Sequence, residues 1–168
     1  MSIQKVREYF RQFGIEEKVM EFTVSSATVE LAAAAIGVEP ARIAKTLAFL
    51  VRGQPILVVT AGDARIVNQK FRAQFDSRVD MCPAEKAEAL IGHDVGGICP
   101  FAINAGIAVY LDQSLKRFRT VFPGCGSASS GIELTIPELE LYSNHSGWVD
   151  VCRTPEAASA IATTSGAI

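Results

Sequence analysis

KTLAFLVRGQPILVVT, residues 45–60, decides the fold because it predicts two apolar strands joined by a turn. The first half is rich in Leu, Phe and Val, residue types that suit a pleated and half-buried surface. Gly53 and Pro55 interrupt this pattern, and ILVVT resumes it. The stretch therefore predicts a β-hairpin, around which the other elements can be placed.

Periodic patterns on both sides of the hairpin predict further elements. Residues 2–13 repeat apolar side chains at helical spacing and end at Gly14, and an alanine-rich helix follows Ser25 and Ser26. Asp63 is expected to cap a helix that begins at residue 64. The remaining predicted elements are a strand at 19–22, a helix at 83–91, a strand at 107–112, a short helix at 113–118, strands at 119–122 and 131–135, a helix capped by Thr135 and Glu138, and a strand at 148–152.

The order of these elements indicates one α/β domain. Strands and helices are mixed without a regular βαβ alternation, which favours a mixed, barrel-like β-sheet surrounded by helices. Residues 1–152 are expected to form this domain, and the small, repetitive residues 153–168 are expected to form a flexible C-terminal tail.

Composition excludes several classes of protein. The 168 residues are 49% hydrophobic and 20% charged, which is enough apolar surface for one independently folding core. No apolar run approaches the roughly 18 residues that cross a membrane, so we expect a cytoplasmic protein with no membrane contact. The four cysteines and two histidines are spaced too widely to predict a metal site.

The charge balance limits contact with nucleic acid to a small area. Sixteen basic and 18 acidic residues do not suit a protein that coats DNA or long RNA by general electrostatic attraction. Two basic clusters, Arg65–Lys70–Arg72 and Lys116–Arg117–Arg119, could contact a few phosphates or could simply be solvated.

GGICPFAI, residues 96–103, has almost no polar side chain. Glycine lets the backbone approach a ligand closely, and Pro100 holds the segment in one shape. Backbone N–H groups held in this way can stabilise developing negative charge without a reactive side chain. The alternative is a tight turn that only connects two elements.

Lys45 is unusual because it opens an apolar strand, where lysine is seldom buried. Its side chain could extend along the strand end into water. It could instead be a fixed cation at the mouth of a pocket that holds an anion such as a phosphate.

These features together resemble the YbaK / prolyl-tRNA-synthetase-associated domain family, the free-standing trans-editing aminoacyl-tRNA deacylases. The resemblance spans about residues 1–152. It is carried by IGVEPARIAKTLAF, GDARIVNQKF, GGICPF and GSASSGIELTIPEL, in that order along the chain.

The resemblance implies hydrolysis of the ester that joins a mischarged amino acid to the terminal adenosine of a transfer RNA. Lys45 matches the family lysine that contacts the RNA 3′ end, and the backbone of the matching loop surrounds the ester. The implied partners are the aminoacylated acceptor end and prolyl-tRNA synthetase, and no cofactor is implied. The implied catalytic residues are Lys45, Gly96, Gly97, Ile98, Cys99 and Pro100, and the implied substrate-binding residues are Phe22, Lys45, Phe101, Ser127, Ser129 and Ser130.

Two departures from the family pattern bear on the amino acid removed. Phe22 and Gly131 stand where the cysteine-specific branch has a tyrosine and an aspartate. The leading expectation is tRNA(Pro) carrying cysteine or alanine, followed by serine or threonine. Two other functions remain open: a non-catalytic module that binds an aminoacyl end or a small ligand beside a synthetase, and a general esterase with a serine or cysteine nucleophile. Cys99 has no base at a family position and is interpreted as a pocket-wall or core residue, and His93 as a loop or capping residue.

Overall fold

The computed structural model describes residues 2–155, which form five helices and ten strands in addition to short 3₁₀ turns. The helices are α1 (Ser2–Arg11), α2 (Val29–Ile36), α3 (Asn68–Phe75), α4 (Ala84–Ile91) and α5 (Ile136–Ser143). The strands are β1 (Met20–Glu21), β2 (Ile43–Val51), β3 (Gln54–Ala61), β4 (Arg65–Ile66), β5 (Ala108–Asp112), β6 (Thr120–Pro123), β7 (Ser130–Gly131), β8 (Leu134–Thr135), β9 (Gly147–Val149) and β10 (Cys152–Arg153).

The predicted hairpin forms the middle of a six-stranded sheet with strand order β8-β6-β2-β3-β5-β9. Strands β2 and β3 are antiparallel, while β6 joins β2 and β5 joins β3 in parallel. The outer pairs are parallel for β5 with β9 and antiparallel for β6 with β8. The expectation of an α/β domain with a mixed, curled, barrel-like sheet and surrounding helices is therefore confirmed.

Two small antiparallel ribbons complete the described part of the chain. Strand β1 pairs with β7, which places Met20 opposite Gly131 and Glu21 opposite Ser130. Strand β4 pairs with β10, which places Ile66 opposite Cys152 and Arg65 opposite Arg153. Both ribbons join segments that are distant in sequence, and both lie beside the site described below.

Four sequence-based boundaries were wrong. One is the strand predicted at 131–135, which is divided into β7, paired with β1, and β8, paired with β6. The helix after Asp63 begins only at Asn68, because Arg65 and Ile66 pair with β10 and the Val67 N–H donates to the Val151 carbonyl. Asp63 therefore binds Arg117 and does not cap a helix.

The cap of α2 and the last strand also differ from expectation. Thr28, and neither of the two serines before it, caps α2, since its hydroxyl accepts the Leu31 N–H. The strand predicted at 148–152 is divided into β9 and β10, because the chain leaves the main sheet to pair with β4.

Other local predictions are confirmed. Gly37 and Gly92 end α2 and α4 in the left-handed conformation, and Thr135 and Glu138 form a reciprocal capping box at the start of α5. None of the described helices has the length and apolar character needed to cross a membrane. The predicted C-terminal tail falls almost wholly outside the described residues, which end at 155.

Helix α1 is fastened to the body of the domain by aromatic packing. The Phe10 ring is fully buried, 4.8 Å from the Phe101 ring and 5.8 Å from the Tyr142 ring, measured between centroids. The Tyr9 hydroxyl also donates to the Tyr142 carbonyl. This packing fixes Phe101, which follows residues 96–100, the glycine loop. It therefore helps to position the loop itself.

Candidate functional site

A cavity of about 370 Å³ brings together the two features that the sequence singled out. Lys45 lies on one wall, and Gly96, Gly97 and Ile98 form another. Most of its other lining side chains are apolar. They come from α2 and β2, from the start of α4 and from the two loops at 95–98 and 122–131, and include Val29, Ala32, Ile36, Ile43, Ala84, Ala87, Val95 and Phe122.

Lys45 is held in place by backbone carbonyl groups. Its Nζ atom donates to the Ala64 carbonyl at 2.6 Å and to the Gly62 carbonyl at 3.5 Å. An ammonium group has three donors, so one remains for a ligand in the cavity. Burial lowers the pKa of Lys45 from 10.5, and the nearby Arg65 charge adds to this effect, while Asp63 and Glu30 oppose it.

The glycine loop presents its main chain to the cavity. Gly96 has φ 92°, a conformation that favours glycine. The Gly97 N–H donates to the Asp94 carbonyl at 2.9 Å, so this donor is used within the loop. Within residues 2–155 the N–H groups of Gly96 and Ile98 have no hydrogen-bond partner. These two are the loop donors that a ligand could use.

A second loop supports the first through direct backbone contact. A Cβ atom added to Gly97 would lie 2.8 Å from the Gly126 carbonyl oxygen. One added to Gly126 would lie 2.8 Å from the Ser2 carbonyl oxygen at the start of α1. The three segments therefore stack main chain on main chain, and this stack leaves no room for a side chain at either glycine.

The later residues of the glycine loop lie behind the cavity wall. Cys99, Pro100 and Phe101 are buried and are not among the lining residues. The Phe101 ring packs on Phe10, so the structure places it in the core and not at the expected substrate-binding position. Its carbonyl oxygen is 2.7 Å from His93 Nε2 and 3.6 Å from Cys99 Sγ.

His93 and Cys99 form a buried pair that sequence reasoning missed. Cys99 Sγ is 3.5 Å from His93 Nε2, so a histidine does lie beside this cysteine. Burial nevertheless raises the pKa of Cys99 to about 12 and lowers that of His93, which keeps both groups neutral at pH 7. Cys99 is thus a core residue, and because its buried thiol stays protonated it is not a nucleophile.

Two of the three serines predicted to bind substrate line the cavity. Ser127 and Ser130 are lining residues, whereas Ser129 is not. Their hydroxyl groups hold the loop together: Ser130 Oγ accepts the Cys125 N–H and donates to the Ser127 carbonyl, and Ser127 Oγ accepts the Ser129 N–H.

Phe22 lies at the margin of the cavity, outside its lining residues. Its N–H donates to the Ser129 carbonyl at 2.8 Å, and a Cβ atom added to Gly131 would lie 3.8 Å from its ring. The two positions that depart from the family pattern are therefore neighbours in space, and neither brings a polar side chain to this side of the cavity.

Sequence reasoning also missed the apolar wall and the exposed residues at its edge. Met81 and Val95 line the cavity although they are 52% and 65% exposed. The alanine-rich composition of α2 was the available signal, since small residues let a cavity form against the sheet. Within residues 2–155 no group of three His, Cys, Asp or Glu side chains could hold a metal ion.

A curled mixed sheet, a mostly apolar cavity, one lysine on its wall and a main-chain loop together characterise this small α/β domain. The chain belongs to the aminoacyl-tRNA editing domain family, whose sequence profile matches residues 23–141.

Individual relatives agree with this membership. The chain is 50% identical over 154 residues to the uncharacterized protein YwhH of Bacillus subtilis (strain 168), covering 91% of this chain and 98% of the relative. It is 26% identical over 123 residues to a proline–tRNA ligase of Lysinibacillus sphaericus (strain C3-41), covering 73% of this chain. The match spans only 22% of that ligase.

Solved structures show the same fold. A candidate trans-editing enzyme for prolyl tRNA synthetase superposes with a TM-score of 0.81 at 25% identity, covering 90% of this chain and 97% of that one. The hypothetical protein APE2540 superposes with a TM-score of 0.78 at 28% identity, covering 89% of this chain and 99% of that one.

Proposed function

We propose that this protein is a trans-editing aminoacyl-tRNA deacylase that hydrolyses the ester of tRNA(Pro) carrying cysteine or alanine. The observation that carries the proposal is the placement of Lys45 and the glycine loop on the walls of one cavity. The editing-domain family and the similarity to part of a proline–tRNA ligase support the choice of RNA. Prolyl-tRNA synthetase is the proposed partner that delivers or receives this RNA.

The proposed chemistry needs no nucleophilic side chain. The remaining Lys45 donor holds a phosphate at the 3′ end, and the Gly96 and Ile98 N–H groups stabilise negative charge on the ester carbonyl oxygen. A water molecule attacks the ester carbon, and the neighbouring ribose hydroxyl group of the substrate takes up the water proton while it passes its own proton to the leaving ribose oxygen. The bond between the acyl carbon and the ribose oxygen then breaks, which releases the amino acid and leaves a free hydroxyl group on the terminal adenosine.

The cavity wall supports the choice of a small uncharged amino acid. Val29, Ala32 and Ile36 of α2 offer only apolar contacts, and the hydroxyl groups of Ser127 and Ser130 are used within their own loop. Ser26 also lines the cavity, and its buried hydroxyl group has no hydrogen-bond partner among the described residues, so it could contact a polar substrate side chain. The mostly apolar wall favours cysteine and alanine, and serine and threonine follow because Ser26 could meet their hydroxyl groups.

A panel of mischarged transfer RNAs tests the proposal. Wild-type protein is expected to release cysteine or alanine from tRNA(Pro), and Lys45→Ala is expected to lower kcat/KM by at least tenfold, since it removes the only cation on the cavity wall among the described residues. Lys18→Ala, an exposed lysine outside the cavity, is the matched control and should retain full activity.

The same panel separates the other two functions. Binding without release from any member of the panel would support the non-catalytic module and contradict the proposal. Hydrolysis of small esters without RNA would support a general esterase, which the buried Cys99 thiol and the engaged loop serines disfavour.

A further inference from the structure

Two arginines face each other across the β4–β10 ribbon. Arg65 and Arg153 are directly opposite in antiparallel register, which places their side chains on the same face. The next pair, Ile66 and Cys152, points the other way and packs into the core. Both arginines are exposed, so this small ribbon presents two positive charges together on its outer face.

Within residues 2–155 no ion pair stabilises this arrangement. Like charges directly opposite on a ribbon repel each other. Neither arginine has an ion-pair partner within residues 2–155. Asp63 pairs with Arg117 and Asp150 pairs with Lys70, which leaves Glu30 of α2 as the nearby carboxylate without a salt bridge.

The arginine pair continues the charge of the cavity wall. Lys45 donates to the carbonyl group of Ala64, the residue that immediately precedes Arg65. The Arg65 charge is near enough to Lys45 to lower its pKa. Arg65 is therefore the neighbour of both Lys45 and Arg153, and the two arginines are exposed.

We infer that Arg65 and Arg153 form a phosphate-binding site for the single-stranded 3′ backbone of the RNA where it leaves the cavity beside Lys45. The inference rests on the proposed function, since it assigns the path of the same substrate. Guanidinium groups present paired donors that match phosphate oxygens, and a bound phosphate would relieve the repulsion between the two arginines.

The test measures binding of an uncharged RNA hairpin with a single-stranded 3′ overhang, and of the same hairpin with a blunt end, at several salt concentrations. For the overhang hairpin, the double variant Arg65→Gln/Arg153→Gln should bind on the order of tenfold more weakly at 0.1 M salt. Its plot of log affinity against log salt should lose about 1.4 from its slope, at about 0.7 for each phosphate contact. Blunt-hairpin binding should not change.

A matched control and a stability measurement complete the design. Arg11→Gln removes one positive charge from α1, outside the cavity, and should leave overhang binding within about twofold of wild type. The arginine variants should keep or raise the melting temperature, because they remove a like-charge pair. Weaker binding with unchanged or higher stability cannot arise from a merely structural role.

Three results would overturn the inference: a wild-type salt slope in the double variant, an equal loss for the blunt hairpin, and an equal loss in Arg11→Gln. Hydrolysis is not measured in this experiment. Failure of the mischarged panel would therefore overturn the proposed function alone, while a wild-type slope would overturn this site alone.

Discussion

Lys45 combines a charge with an apolar setting, and its environment sets a pH limit on ligand binding. Burial lowers its pKa from 10.5, so the ammonium form is lost at a lower pH than for an ordinary lysine. Protonated Lys45 is less favourable in the folded state than in the unfolded state. Its contribution to the free energy of unfolding is therefore fully present above pH 10.5, where Lys45 is neutral in both states, and is lost as pH falls through the lowered pKa.

The affinity for an uncharged overhang hairpin should therefore fall as pH rises toward 10.5, beginning below that value. Lys45→Arg keeps a positive charge over this range, because arginine remains protonated. In this variant the fall should vanish or move to higher pH, even if affinity at pH 7 is reduced. Affinity measured against pH checks this, and identical pH profiles for the two proteins would contradict it.

Substitution of Gly97 tests the close backbone contact at a single residue. In Gly97→Ala the new Cβ atom would lie 2.8 Å from the Gly126 carbonyl oxygen, and backbone cannot yield cheaply. We expect a loss of about 1–3 kcal/mol in the free energy of unfolding, together with a large loss of deacylation as the loop is displaced. Denaturant unfolding and kcat/KM are the measurements.

Gly147→Ala provides the matched control for this change. Its Cβ atom would have no heavy atom within 4 Å and its φ is not in the left-handed region. We expect stability within about 0.5 kcal/mol of wild type and full activity. A Gly97 variant as stable and active as this control would contradict the close backbone contact.

At the scale of elements, a change in the capping box of α5 should lower the stability of the protein without changing its activity. Thr135→Ala removes the hydroxyl group that accepts the Glu138 N–H, which should lower the free energy of unfolding by about 1 kcal/mol. Neither residue lines the cavity, so kcat/KM should not change. Glu138→Gln, which can still close the box, should lose less stability; an equal loss in both variants would contradict this account.

The aromatic packing that holds α1 against the domain gives a second prediction for a single element. Phe10→Ala removes a fully buried ring that contacts Phe101 and Tyr142, and should cost about 3–5 kcal/mol. Thermal unfolding should show a drop of roughly 10 °C. Phe13→Ala, at a ring that is 40% exposed, should have a much smaller effect.

At the scale of the whole molecule, a net charge of −2 opposes general binding of nucleic acid. Lys45 lies on the cavity wall with the Arg65 charge near it, so binding should require a single strand that can enter the cavity. At 0.15 M salt we expect no measurable binding of a blunt DNA duplex and clear binding of the overhang hairpin. Equal binding of the two would indicate a diffuse electrostatic surface and contradict this view.

Local patterns predicted the central hairpin and the capping box of α5, because neighbouring residues specify both. The meeting of Lys45 with the glycine loop was implied only by the resemblance to the family. It did not predict the β1–β7 and β4–β10 ribbons, which pair two residues across more than eighty positions of chain. Ile66 and Val67 fit a helix pattern or a strand equally well, and only β10 decides between them. Likewise, Phe101 resembled a pocket residue until its contact with Phe10 placed it in the core.

The bare main-chain stack at Gly97 and Gly126 has an evolutionary consequence. Gly97 has no side chain to exchange, so mutation there cannot reshape this wall of the cavity gradually without breaking the backbone contact. The opposite side, made by Val29, Ala32 and Ile36, can gain or lose single methyl groups. New amino-acid preferences should therefore arise in lineages through aliphatic replacements on α2, while the reaction itself stays unaltered.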